Sequence, residues 1–213
     1  MKLPFKSPIK PLVSQEWGNT FNNAWYKENG VDIPFHNGTD FYFGTPKQTY
    51  GTPCVCPFKE ATVVKVTWDT PTATKGNGVT IESLEGNKRY QLVFWHTGEI
   101  VVKLGQVIKE GEIICYVGNS GLCKPTPTFA EPFLGSHCHL MIFEIVNGNV
   151  KDYNNGVGGS LNCRLYFDFD KWYEGEDTGN SHDTPALTSG DYGFIFKFLN
   201  GEQIVKFLKW LGF

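Results

Sequence analysis

Two short stretches of this 213-residue chain carry side chains that could hold a metal ion and move protons. Gly135-Ser136-His137-Cys138-His139-Leu140-Met141-Ile142-Phe143 reads as a turn feeding a buried strand. Side chains alternate faces along a strand, so His137 and His139 project to one side and Cys138 to the other, with the two rings starting roughly 6 to 7 Å apart. The second stretch, His36-Asn37-Gly38-Thr39-Asp40, adds an imidazole and a carboxylate. Three His and one Asp suit zinc, whose catalytic sites take three protein N or O ligands and keep the fourth position for water. Singly, each stretch has a plainer reading. The first could be a buried His pair satisfied by backbone, and the second a His and an Asp bonded to their own backbone in a Gly/Asn-rich turn.

The elements that must position these residues are short. Apolar runs are brief and separated by turn residues, with 24 Gly, 12 Pro and 15% aromatics, which points to an all-β domain with a core of ordinary size. Asp40 falls inside the alternating segment Thr39–Gly44, with His36 just before it. Ala61–Trp68 is a β-branched strand, and Val79–Leu84 with Arg89–Trp95 reads as a hairpin across Glu85-Gly86-Asn87-Lys88. Ile100–Val102, Val107–Gly111 and Ile113–Gly121 continue an antiparallel meander. Cys163–Phe169 closes the domain after a Pro/Thr-rich loop, Leu122–Leu134, and the His137/His139 strand.

A net charge of −3 with scattered lysines gives no footprint for nucleic acid. No 18-residue apolar span exists, which excludes a transmembrane helix, and Met1–Pro8 lacks the apolar core of a secretory signal. The six Cys include no Cys-x-x-Cys pair and read as small reduced core residues, so a Cys zinc site is not expected. The organisation expected is a domain over residues 1–173, a polar Gly-rich linker over 174–192 holding a solvated His182, and a tail over 193–213. In that tail Asn200 can cap a helix whose stripe is Ile204, Val205, Leu208 and Leu211, docking on its own domain or anchoring to a partner protein or wall polymer.

Several motifs in one order resemble a known family. His36-Asn37-Gly38-Thr39-Asp40 is similar to a His-x-Gly-x-Asp motif, and Gly135-Ser136-His137-Cys138-His139 to the second His-x-His motif. Gly51-Thr52-Pro53 and Ala61-Thr62-Val63-Val64 resemble the strands between, and His96 with Gly105-Gln106-Val107 and Gly118-Asn119-Ser120-Gly121 the segment of the fifth site residue. The resemblance, over about Ser14 to Trp172, is to the lysostaphin- and LytM-type zinc metalloendopeptidases that cut peptide bonds in bacterial peptidoglycan. It implies one zinc per chain on His36, Asp40 and His139, with His96 and His137 flanking a metal-bound water. One free imidazole would take and return the proton and the other steady the oxyanion, with their assignment open.

Trp95 and Thr97 around His96, and the long loop Leu122–Leu134, depart from the family pattern; such loops wall the substrate groove. With no signal segment, a wall substrate suggests a phage lysin or a virion-associated hydrolase. The alternatives are a non-catalytic wall-binding or scaffold module of the same fold, and a carbohydrate-binding β-protein with exposed Trp and Tyr.

Overall fold

Alternation decides which side of each strand meets the core, and β11 (Cys138–Val146) shows it most plainly. Cys138, Leu140 and Ile142 are fully buried in the main core, while His139, Met141, Phe143 and Ile145 look out of the opposite face. The computed structural model describes residues 1–32, 34–69 and 74–175. Residues Met1–Glu176 form one compact unit.

In chain order the strands are β1 (Lys2–Ser7), β2 (Leu12–Gln15), β3 (Thr39–Tyr42), β4 (Pro53–Val55), β5 (Glu60–Thr67), β6 (Gly78–Glu85), β7 (Lys88–Trp95) and β8 (Thr97–Ile100). They continue with β9 (Val107–Lys109), β10 (Ile113–Val117), β11, β12 (Asn149–Val150), β13 (Ser160–Leu161) and β14 (Asp168–Glu174). One sheet runs β14-β1-β4-β10-β8, and the other runs β2-β3-β11-β7-β6-β5-β9 with β12 and β13 paired to β11. The β6–β7 hairpin is the expected one, and Gly86 supplies the positive φ of 65° that its tight turn needs.

Leu3 and Phe5 from the first sheet meet Phe41, Leu92, Phe94 and Leu140 from the second in one core. The Phe5 ring centroid lies 5.1 Å from those of both Phe41 and Phe43. Burying each such side chain contributes about 1.5–3 kcal/mol. β3 and β7 flank β11, so the strands that carry the chemistry are also the best-covered part of the fold.

The fold is all-β and mainly antiparallel, as expected, but three details differ. β1 and β14 pair in parallel, so the N-terminal stretch Lys2–Ser7 is a core strand. Two short helices lie in stretches without expected structure: α1 (Asn23–Glu28) in the polar loop, and α2 (Pro46–Thr49), whose Thr45 and Gln48 form a reciprocal capping box. Glu174, expected to open the linker, is the last residue of β14. The remainder of the linker, His182 and the tail helix lie outside the described residues. Among the described residues no helix is long and apolar enough to cross a membrane, and all six Cys are buried and unpaired.

Candidate metal centre

Antiparallel pairing of β3 with β11 places Asp40 directly opposite His139. His139 Nδ1 lies 2.8 Å from Asp40 Oδ1. His36, just before β3, is tied down by its backbone: its N–H donates to Asn19 O (2.9 Å) and its carbonyl accepts from Gly18 N (2.7 Å). Its Nδ1 donates to Glu16 O at 3.1 Å, which leaves the lone pair on Nε2. That Nε2 is 3.0 Å from His139 Nδ1 and 3.3 Å from Asp40 Oδ1.

These three atoms form a small triangle of two imidazole nitrogens and one carboxylate oxygen, and all three residues are buried. Ligands about 2.0–2.1 Å from a tetrahedral zinc stand roughly 3.3 Å from each other, so the triangle fits such an ion with little movement. Gly38 makes the closeness feasible. A Cβ there would stand 2.5 Å from His139 Nε2 and 2.8 Å from Leu140 O. The residues could therefore hold a metal ion.

The other two histidines stand beside this triangle. His137 forms an isolated bridge with Gly118, donates from Nδ1 to Gly135 O at 2.7 Å, and turns Nε2 to within 3.8 Å of Asp40 Oδ1. His96 follows the last residue of β7 with φ of 59°, an angle uncommon outside Gly, which swings its ring out of the strand direction. Its Nδ1 donates to Ser120 O at 2.8 Å, and its ring centroid lies 4.6 Å from that of His137 and 6.1 Å from that of His139. Both rings thus have Nδ1–H engaged by backbone and Nε2 free to accept.

The electrostatics follow from burial and mutual charge. Burial alone would push Asp40 up, but His137 and His36, with hydrogen bonds from His139 and His36, hold its carboxyl well below the usual carboxylate range. Burial likewise opposes a charge on His36, yet Asp40 and the carbonyl of Glu16 outweigh it and its pKa is raised. Burial lowers His139 despite Asp40. It also lowers His96, with help from His137 and His139, to about 3. His96 is a neutral acceptor at any ordinary pH.

All five site residues expected from the sequence lie in one place. Four contributors were not anticipated. The Ser120 carbonyl aims His96, and Ser120 Oγ ties that loop to Thr97 O at 2.7 Å. Cys123 brings its sulfur and one nitrogen each of His96 and His137 within 4.8 Å of one another. Lys124 reaches from the long loop to Asn22 Oδ1 (3.3 Å) and over the Trp25 ring (5.5 Å), joining that loop to α1 above the groove. Asn119, which bonds Pro132 O and Leu134 O, braces the same loop, and the Ser-Gly turn at 120–121 was the one sequence signal near it.

Two cavities flank the triangle. One of about 560 Å³ reaches Asp40 and His137, and one of about 90 Å³ reaches His36 and His139; His96 borders both. The buried two-His, one-carboxylate triangle, with two accepting imidazoles beside it, is thus set in a groove on the β-sheet. Residues 34–152, more than half of the chain, match peptidase family M23, and the chain belongs to that family. It is 33% identical over 87 residues to an uncharacterized metalloprotease of Haemophilus influenzae, covering 41% of this chain. The match spans only 16% of that relative's length. A zinc containing peptidase from Vibrio cholerae is similar at 23% identity and a TM-score of 0.46, over 66% of this chain and 34% of that one. The catalytic domain of the antimicrobial peptidase lysostaphin from Staphylococcus simulans is similar at 19% identity and a TM-score of 0.44, over 68% of this chain and 91% of that one.

Proposed function

We propose that the chain is a zinc-dependent endopeptidase that hydrolyses peptide bonds in the stem or cross-bridge peptides of bacterial peptidoglycan. The observation that carries this reading is the convergence of His36, Asp40 and His139 with the free Nε2 atoms of His96 and His137 in one groove. His36, Asp40 and His139 would hold the ion. A zinc ion held there would supply Lewis acidity towards a scissile carbonyl and water.

The chain's own groups do the rest. His137 presents Nε2, 3.8 Å from Asp40 Oδ1, as proton acceptor. The same nitrogen returns the proton to the leaving amine. His96, with its Nδ1–H committed to Ser120 O, orients attacking water by accepting from it. The groove walls hold the peptide extended across these groups.

The test is release of free amino groups from purified sacculi by the zinc-loaded chain, with chelator and with zinc restored. Loss and recovery of cleavage are expected. Zinc bound at one per chain without amine release from any wall type would overturn the catalytic reading in favour of a binding module.

A further inference from the structure

The smaller cavity has a composition unlike the rest of the groove. Trp95 and Met141 line it from the sheet and Val31 and Leu122 from two loops, with Tyr26, Asn37, Thr74 and Lys75 completing the wall. The sheet register dictates the sheet side. Trp95 on β7 is directly opposite His139 on β11, and Met141 is the next residue of β11 on the His139 face. Gly78, opposite Trp95 on β6, lets the indole lie across the sheet; a Cβ there would stand 2.2 Å from the ring. The Lys75 ammonium lies 5.7 Å from the ring centroid over its face.

Position and size both limit what can enter. The cavity is lined by His36 and His139, whereas Asp40 and His137 line the larger one, and His96 borders both, so the small cavity lies directly beside the metal triangle. At about 90 Å³ it is well below a small-molecule site and has the scale of one side chain. A glycine would leave the apolar lining without contacts, and an aromatic ring would overfill the cavity.

From this we infer that Trp95, Met141, Val31 and Leu122 form a specificity subsite for an alanine- to valine-sized apolar side chain on the residue adjoining the scissile bond. The inference rests on the endopeptidase reading and adds which bonds are cut. A bond flanked by such a residue is cleaved about tenfold faster than one between two glycines, the discrimination a few methyl groups give in an apolar pocket. Val31→Phe fills the cavity from its loop side and brings that ratio towards one, with zinc content unchanged.

The experiment digests sacculi having all-glycine bridges and sacculi having alanine-containing bridges with the zinc-loaded full chain, and identifies the new peptide ends by mass spectrometry. Ends flanked by alanine, in both wall types, at about ten times the frequency of glycine–glycine cuts are expected. Glycine–glycine bonds cut equally well, or a ratio unmoved in Val31→Phe, would overturn the subsite and leave the peptidase reading standing. No new ends in either wall type would overturn that reading, and the subsite with it.

Discussion

His139 and Asp40 are opposed residues of two paired strands whose side chains meet at 2.8 Å, Nδ1 to Oδ1, in a buried position. The same oxygen lies 3.3 Å from His36 and 3.8 Å from His137, so one carboxylate faces three imidazoles. Replacing it by an amide of the same shape removes the charge that gathers them. Asp40→Asn should bring bound zinc from about one per chain to none, and wall cleavage with it. Metal analysis after gel filtration measures this directly; full zinc retention would remove Asp40 from the ligand set.

The two free imidazoles should behave differently from the two in the triangle, His36 and His139. His137→Asn and His96→Asn are expected to keep zinc while lowering kcat by about 10²–10⁴-fold. Asn suits position 96 because it tolerates a positive φ. Loss of zinc in either variant would make that histidine a ligand instead.

Gly38 is the tightest packing point at the centre. Gly38→Ala should force His139 away from its partners and weaken zinc binding by about 10–100-fold, the range seen when a ligand's orientation is disturbed. Competition against a chromophoric chelator gives the number. Unchanged affinity would show that the strand edge shifts freely enough to absorb a methyl group.

The metal-free protein should lose stability as pH falls below about 6.5. His96 and His139 have folded pKa values below that of the unfolded chain. Below about 6.5 the unfolded state therefore binds more protons, and each such histidine costs up to about 1.4 kcal/mol per pH unit. His36 is raised and works in the opposite sense, favouring the fold at low pH and losing that effect as pH rises through its folded value. Asp40, held low, keeps its charge across this window. The net of two against one is a midpoint in urea that drops between about pH 7.5 and about pH 5 once chelator has removed metal. A midpoint that rises would contradict it.

The parts of the site legible in the sequence are those written in local periodicity. His137-Cys138-His139 alternates between a groove face and a core face, and Asp40 belongs to a recognisable strand, so both could be placed before their partners were known. What aims them was not legible. Every residue has a carbonyl, and nothing in Glu16, Ser120 or Gly135 marks those oxygens as the acceptors that hold His36, His96 and His137. The parallel pairing of β1 with β14 joins the two ends of the domain, and neither the proline-interrupted first strand nor the mixed-charge last one offers a local clue to it. α2 is a single turn set by its Thr45–Gln48 capping box, too short to leave a period in the sequence. α1 buries none of its residues and so leaves no apolar stripe to read.

Asp40 and His139 are 99 positions apart in the chain, and His36 is 103 from His139. A chain emerging from the ribosome therefore carries only an isolated imidazole and carboxylate until β11 has been made and has docked between β3 and β7. The metal triangle is then a property of the finished fold alone: no fragment that ends before β11 can assemble it.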